Sequence, residues 1–205
     1  MLAVHNIDDL VKQDLPWWTY RSIDLVEGYL AGREGLARVF EYGSGASTVW
    51  LARRAGSVVV VEHDRTWAQR VERVLEAEGL ENVRIVVPEV PRTTAPTLGS
   101  DAPSGKGLDF RDYVAALGRE QGSFDLIAVD GRARAACTRE ATTRVAPGGI
   151  VLLDDAQRPR YQPVVEELAT RGWHVVRAHG FAPCDPLPRD TVLFTDADRF
   201  AANVA

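Results

Sequence analysis

Residues 39–52, VFEYGSGASTVWLA, combine a short apolar strand, an acid, two glycines in a turn of small residues and the start of an apolar helix. This order is typical of a ligand-binding turn, because the glycines let the backbone approach a ligand and the helix start offers free N–H groups. The acid, Glu41, stands just before the first glycine. A carboxylate there would repel a pyrophosphate, so the turn is not predicted to bind a dinucleotide.

On both sides of this turn, strand-like and helix-like patterns alternate along the chain. The predicted strands are 39–43, 57–64, 82–87, 124–130, 150–155, 173–180 and 191–195, and the predicted helices are 46–56, 65–79, 110–120, 133–145 and 161–171. The alternation predicts an α/β fold with a doubly wound, Rossmann-like sheet of seven strands, mostly parallel. The last two strands are joined by GFAPCDPLPRD, which has no helical periodicity, so the last strand is predicted to be antiparallel.

Two segments lie outside this alternation. Residues 15–30, LPWWTYRSIDLVEGYL, predict an amphipathic helix that packs on the sheet or covers its carboxyl edge. We therefore expect a single domain over residues 1–205, with residues 1–32 as an N-terminal helical cap. Residues 88–108 are rich in Pro, Gly, Ser and Thr and too long for an ordinary connection, so they are either functional or disordered.

Composition limits the possible partners. The chain has 205 residues, a formal net charge of −5 and no block rich in lysine and arginine, which argues against nucleic acid and membrane surfaces as partners. It has no apolar run long enough for a membrane span and no secretory signal pattern. With only Cys137 and Cys184, read as reduced thiols, a cytoplasmic protein is expected. A homo-oligomer is compatible with the sequence.

The residues after the first two strands indicate which ligand the turn binds. Ser47 and Thr48 add hydroxyl donors at the helix start, and Glu62 ends the second strand, where an acid meets ribose hydroxyls. The pattern G-x-G-x-x-G of nicotinamide enzymes is not kept, since Thr48 stands at the third glycine. A ligand with a ribose, a carboxylate and a cationic group fits better, and S-adenosylmethionine has all three. His63 is either an adenine contact or a solvated side chain.

At this point the sequence resembles the class I S-adenosylmethionine-dependent methyltransferases over roughly residues 16–195. The resemblance rests on EYGSGAST, VVVVEHD, FDLIAVDG and APGGIVLLDD, which occur in the family's order. It implies that Glu41, Gly43 and Gly45 contact the methionine moiety, Glu62 the ribose, and that Asp130 lies near the methyl group. The full predicted cofactor set is Glu41, Gly43, Ser44, Gly45, Ser47, Thr48, Glu62, His63 and Asp130.

Three carboxylates follow adjacent predicted strands. Asp130 ends the fourth strand, and Asp154 and Asp155 end the fifth, so all three are expected around one point at the carboxyl edge. Hard oxygen ligands of this kind suit Mg²⁺. The arrangement resembles the metal-dependent catechol and sugar O-methyltransferases, which implies a metal held by Asp130, Asp154 and Asp155. Without a metal, Asp130 would serve the cofactor, and Asp154 or Asp155 would be a base or a helix cap.

The residues that would choose the acceptor are less patterned. Arg132 and Arg134 would bind a substrate carboxylate or phosphate, or else pair with the strand-five aspartates or remain solvated. His179, at the end of the sixth strand, is a candidate general base or a structural histidine. The chain lacks the Asn/Asp-Pro-Pro-aromatic motif of nucleic-acid amino methyltransferases after strand four. A small-molecule acceptor, most simply an oxygen of a sugar or secondary metabolite, is therefore expected.

Other functions remain open from the sequence. An aminopropyltransferase-like enzyme would use Asp130, Asp154 and Asp155 to bind an amine. A non-catalytic module would keep Glu62 and the glycine turn but would need no acids at the strand ends. A nicotinamide enzyme is the least favoured, because of Glu41 and Thr48.

Overall fold

The computed structural model describes residues 7–100 and 102–196, which form a seven-stranded sheet flanked by helices. The strands are β1 (Arg38–Tyr42), β2 (Ser57–Val61), β3 (Val83–Val86), β4 (Phe124–Val129), β5 (Val145–Leu153), β6 (Trp173–Gly180) and β7 (Arg189–Asp196). The helices are α1 (Ile7–Gln13), α2 (Tyr20–Ala31), α3 (Ala46–Ala52), α4 (Arg65–Ala77), α5 (Arg111–Ala115), α6 (Arg134–Ala141) and α7 (Gln162–Thr170).

The strand order is β3-β2-β1-β4-β5-β7-β6. Strands β1 to β5 pair in parallel, whereas β7 is antiparallel to both of its neighbours, β5 and β6. The predicted Rossmann-like α/β sheet with an antiparallel last strand is therefore confirmed. The strand order reverses between β1 and β4, and ligands of doubly wound sheets bind outside the carboxyl ends of the strands at such a point.

Helices cover both faces of the sheet, so its central strands are buried on both sides. Successive residues of β1 enter different apolar clusters: Val39 packs with Trp50 and Leu126, and Phe40 packs with Phe124. The first cluster includes α1, α2, α3 and α4, and the second includes α5, α6 and α7. This packing fixes the strand ends, and with them the side chains at the carboxyl edge.

The N-terminal segment forms two helices where one was expected. Helix α1 ends at Gln13, Asp14 has a positive φ of 54°, and Pro16 lacks the N–H that a continuing helix would need. Helix α2 starts anew after Thr19, whose hydroxyl accepts from the Ser22 N–H. The break between the helices brings Trp17 and Trp18 to the carboxyl edge of the sheet.

Some boundaries differ from the expected ones. Strand β5 starts at Val145, so it includes the PGG stretch, with a register shift against β4 there. Helix α3 ends at Ala52, and residues 111–119 form α5 and a 3₁₀ turn where one longer helix was expected. The described part of 88–108 is held by the Asp109 carboxylate, which accepts from the N–H groups of Thr97 and Leu98. None of the described helices is long and apolar enough to cross a membrane.

Candidate active site

The glycine turn after β1 lies against the end of β4. Gly43 has a φ of 91°, and a Cβ placed there would lie 2.7 Å from the Cα of Gly131. The Gly43 N–H donates to the Val61 carbonyl at 2.8 Å. Glycine is required at this crossing because a side chain would meet the neighbouring backbone. The turn is thereby held at the point where the strand order reverses.

Glu41 is buried inside this turn, with 0% of its surface exposed. Its Oε1 accepts from the Ser47 hydroxyl at 2.5 Å and its Oε2 from the Thr48 hydroxyl at 2.6 Å. Thr48 Oγ1 also accepts from the Gly45 N–H. Burial raises the pKa of Glu41 to about 8, against these hydrogen bonds. Glu41 and Thr48 therefore stabilise the turn from within, while Gly45 and Ser47 border a cavity.

Next to the turn lies a cavity of about 310 Å³, here called the Glu62 cavity. It is lined by Gly43, Ser44, Glu62, His63, Asp64, Trp67, Asp130, Gly131 and Arg132. The Glu62 carboxylate accepts from the backbone N–H groups of Ser44, His63 and Asp64 at 2.7–3.0 Å. Burial would raise the pKa of Glu62, but hydrogen bonds from His63, Asp64 and Ser44 lower it below its usual value. Glu62 is thus held as an anion facing this cavity.

A second cavity, of about 340 Å³, adjoins the first and is here called the Asp154 cavity. It is lined by Trp17, Ser44, Gly45, Ala46, Ser47, Trp67, Asp130, Arg134, Asp154, Asp155, Pro183, Cys184, Asp185 and Arg189. Ser44, Trp67 and Asp130 border both cavities. The two cavities therefore meet at the end of β4, and a group bound in one could react with a group bound in the other.

Arg134, the first residue of α6, lies among the aspartates that end β4 and β5. Its Nη2 is 2.8 Å from Asp130 Oδ1, and its Nη1 is 3.3 Å from Asp155 Oδ2 and 3.6 Å from Asp154 Oδ2. Burial raises the pKa of both the Asp130 and the Asp154 carboxyl, while the Arg134 charge opposes that rise. The four residues form one buried cluster, and the ion-pair alternative for Arg134 is the one that the structure contains.

This cluster does not fit the magnesium site that the sequence suggested. The Arg134 guanidinium already lies where a cation would need to be to contact the three carboxylates. Arg158 and Arg189 approach Asp155 as well, at 2.6 and 3.5 Å. Within residues 7–100 and 102–196, no three His, Cys, Asp or Glu side chains are arranged to hold a metal ion. The predicted magnesium is not supported, because arginines already neutralise these acids.

The remaining predicted residues lie in different places. Arg132 borders the Glu62 cavity, on the side of the expected cofactor. His179 lies on β6 with 69% of its side chain exposed, and its Nδ1 is 2.7 Å from Asp190 Oδ1. It does not line the Glu62 cavity or the Asp154 cavity. Of the three residues predicted as catalytic, the structure therefore brings Asp130 and Asp154 together and leaves His179 apart from them.

Several residues that border the site were not singled out from the sequence. Trp67 lines both cavities, and its indole N–H donates to the Ser44 carbonyl at 2.8 Å. Its place in the first turn of α4, just after the Glu62–Asp64 segment, could have indicated from the sequence that it lies at the carboxyl edge of the sheet. Trp17 and Cys184 line the Asp154 cavity as well. Nothing in the local pattern marked either of them.

Comparisons with known proteins give the family. The sequence profile of a family described as a methyltransferase domain matches residues 40–156, more than half of the 205 residues. No curated protein sequence matches the chain significantly.

Solved structures share the fold. The O-methyltransferase TomG from Streptomyces achromogenes, in complex with S-adenosylmethionine, has a TM-score of 0.64 at 19% identity, covering 96% of this chain and 92% of that one. An O-methyltransferase from Bacillus cereus, in complex with S-adenosylhomocysteine, has a TM-score of 0.65 at 18% identity, covering 92% and 89%. An rRNA methylase from Streptococcus thermophilus has a TM-score of 0.61 at 13% identity, covering 86% and 96%.

The family match spans the glycine turn, the acid after β2 and the ends of β4 and β5. The matched residues include all of those that line the Glu62 cavity and most of those that line the Asp154 cavity. The family is one of methyltransferases, so the aminopropyltransferase, nicotinamide and non-catalytic alternatives lose their support. Two of the similar structures contain S-adenosylmethionine or its demethylated product. The chain belongs to the class I S-adenosylmethionine-dependent methyltransferase family and is an S-adenosylmethionine-dependent methyltransferase.

Proposed function

We propose that this enzyme transfers the methyl group to an oxygen of a small molecule, such as a sugar or secondary metabolite, bound in the Asp154 cavity. The observation that carries the proposal is that this cavity is acid-lined and shares Asp130 with the Glu62 cavity. Its volume of about 340 Å³ lies in the range of small-molecule sites. The cofactor's ribose would bind at Glu62, and its methyl group would point toward Asp130.

The charges of the Asp154 cavity favour a small acceptor over a nucleic acid. Four aspartates line it, namely Asp130, Asp154, Asp155 and Asp185. The two arginines that line it are already paired: Arg134 with the first three acids, and Arg189 with Asp155 and Asp185. Nucleic-acid binding depends on basic groups free to contact phosphates. Among the described residues that line this cavity, both arginine side chains are thus engaged with aspartates.

Methyl transfer to a hydroxyl needs few catalytic groups. The acceptor oxygen attacks the methyl carbon, the carbon–sulfur bond breaks with its electron pair remaining on sulfur, and the hydroxyl proton must leave. Asp130 borders both cavities, and burial raises its pKa, so it is the carboxylate suited to take that proton. Asp154 borders the same cavity, held by a hydrogen bond from the Thr191 hydroxyl at 2.8 Å.

We also infer that the chain works as one domain in which the N-terminal segment closes the site. Trp17 lines the Asp154 cavity, and Trp18 donates to Asp130. The Tyr20 N–H donates to the Phe181 carbonyl at 3.0 Å, at the start of the loop that carries Cys184. The N-terminal segment and this loop therefore form adjoining walls around the acceptor.

The test is methyl transfer from S-adenosylmethionine with a deuterated methyl group. The enzyme and this labelled cofactor are incubated with a panel of sugars, phenols and other hydroxyl compounds and, separately, with purified ribosomal RNA. The label is expected in a small molecule, and Asp130→Asn is expected to lower kcat by roughly 100-fold with S-adenosylhomocysteine affinity nearly unchanged. Asp112→Asn, a surface change on α5, serves as the control. Label in the RNA alone, or equal kcat for the two variants, would contradict the proposal.

A further inference from the structure

All three nitrogens of the Arg134 guanidinium donate hydrogen bonds to oxygens of the protein itself. Its Nε donates to the Gly131 carbonyl at 3.0 Å, its Nη1 to the Asp154 carbonyl at 2.7 Å, and its Nη2 to the Asp130 carbonyl at 2.9 Å. Nη1 also donates to the Asp155 carboxylate at 3.3 Å. Each nitrogen of the guanidinium is therefore engaged by the ends of β4 and β5. The side chain is only 7% exposed, so it is poorly placed to bind an acceptor.

The groups around Arg134 are those that a hard cation takes. Three backbone carbonyls and the carboxylates of Asp130, Asp154 and Asp155 converge on one guanidinium. Divalent ions such as Mg²⁺ and Ca²⁺ are bound by carboxylate and carbonyl oxygens of this kind. Here the positive charge is covalently attached to the chain, four positions after Asp130.

The local backbone is built to bring this side chain inward. Ala133, just before α6, has a φ of 49°, which costs a non-glycine residue free energy. This turn is followed directly by Arg134, whose guanidinium carbon lies 5.9 Å from the ring centre of the buried Tyr161. A conformation that is unfavourable by itself persists only where the surrounding contacts hold it. The buried ion pairs of Arg134 are among the contacts next to this turn, together with the hydrogen bond from the Ala133 N–H to the Ser100 hydroxyl.

We propose that Arg134 is a built-in cation that takes the place of a divalent metal ion, so that the wild-type cluster binds no metal and loss of the guanidinium turns the cluster into a metal site. A divalent ion added to the wild-type protein would face a charge already present at the centre of the acids. Without Arg134, Asp130 and Asp154 would lose their cationic partner, whereas Asp155 would keep Arg158 and Arg189. A metal ion between the three carboxylates would supply the missing charge. This inference stands whether or not the acceptor is a small-molecule hydroxyl.

The experiment is calorimetric titration with MnCl₂ and with MgCl₂. Wild type and Arg139→Ala, which removes an exposed arginine from the same helix, are expected to show no binding at the cluster. Arg134→Ala is expected to bind one Mn²⁺ with a Kd of roughly 0.1 mM or tighter. Adding Asp155→Asn to that variant should abolish the binding. A folded Arg134→Ala protein that gains no metal affinity overturns the proposal.

Stability measurements keep the proposal testable if Arg134→Ala folds poorly. Mn²⁺ should raise the Tm of Arg134→Ala and leave that of wild type unchanged, since a ligand stabilises only a folded state that binds it. Arg134→Lys keeps a positive charge and should fold without gaining metal affinity. Wild-type protein that binds Mg²⁺ and loses this binding on Asp130→Asn would overturn the proposal outright.

Discussion

The indole N–H of Trp18 donates a hydrogen bond to the carboxylate of Asp130 at 3.3 Å, although 112 positions separate the two residues in the chain. Trp18 is fully buried and packs edge-on against Trp50, with ring centres 5.9 Å apart. Asp130 Oδ2 receives this N–H, while Oδ1 faces Arg134. The N-terminal segment thereby fixes the orientation of the carboxylate that borders both cavities.

Trp18→Phe should shift the pH dependence of the reaction. Burial raises the pKa of Asp130, and the Trp18 hydrogen bond lowers it, so losing that bond should raise it further. If Asp130 acts as the base, the acidic limb of the kcat/KM profile should move to higher pH, and the stability loss should be about 1–3 kcal/mol. Trp50→Phe removes similar packing but no hydrogen bond to Asp130, so the acidic limb of its kcat/KM profile should stay at the wild-type pH. An equal shift for both variants would contradict the assignment.

Glu41→Gln should change how stability depends on pH. The pKa of Glu41 is raised from 4.5 to about 8 in the folded protein, so between these values the native state keeps a proton that the unfolded chain releases. The free energy of unfolding should therefore fall as pH rises through this window, by at most about 1.4 kcal/mol per pH unit for one proton, and level off above pH 8. The Gln variant, which cannot ionise, should lack this contribution.

Urea unfolding from pH 5 to pH 9 measures this contribution as the difference between variant and wild type. Glu62→Gln is the matched control, because the pKa of Glu62 is lowered from 4.5. The contribution of Glu62 to the free energy of unfolding therefore changes only at pH values below 4.5, outside the measured range. A difference curve for Glu41→Gln that stays flat from pH 5 to pH 8 would show that Glu41 is already ionised in the folded protein.

The sequence predicted the sheet and the strand-end acids well, because alternation of elements and the position of an acid after a strand are local features. It did not predict the two N-terminal helices, although Pro16 is a local helix-breaking signal. The burial of Trp18 just after the break depends on the packed fold. It also left Arg134 undecided between substrate and ion pair. That choice depends on the backbone at Ala133 and on carbonyls from two strands, which no short stretch of sequence contains.

The same limit applies to Glu41. Its place before the glycine turn was recognised, and the resemblance implied contact with the cofactor. The structure surrounds its buried carboxylate with the hydroxyls of Ser47 and Thr48. Its contact with the cofactor stays a prediction. Both hydroxyls were visible in the sequence as donors. Whether they faced a ligand or Glu41 depended on the curvature of the turn, which the contact of Gly43 with Gly131 sets.

Gly131→Ala should loosen this contact. A Cβ there would lie 2.0 Å from the Tyr113 hydroxyl and 2.9 Å from the Gly43 nitrogen, so the backbone or the buried ring must shift. We expect a stability loss of about 1–3 kcal/mol and weaker S-adenosylhomocysteine binding, since both glycines line the Glu62 cavity. Gly28→Ala, in α2 with no atom within 4 Å of the new Cβ, should instead stabilise by about 0.5–1 kcal/mol. Thermal unfolding and calorimetry separate the two outcomes.

Glu62→Gln should weaken cofactor binding more than it weakens the fold. The Glu62 carboxylate accepts from three backbone N–H groups, and in Gln an NH₂ group would replace one of its oxygens and point donors at these donors. The variant would also lose the negative charge that the ribose hydroxyls are proposed to meet. Because hydrogen bonds to a charged group contribute about 1.5–3 kcal/mol each, affinity for S-adenosylmethionine and S-adenosylhomocysteine should fall by roughly 10- to 100-fold.

Glu72→Gln, an exposed change on α4, is the control for this loss and should bind both ligands as wild type does. Calorimetric titration of the three proteins at one and the same pH compares their affinities under equal conditions. An affinity for Glu62→Gln equal to that of the control would mean that the ribose lies elsewhere. The Glu62 cavity would then have to be abandoned as the cofactor site, even though the family assignment would stand.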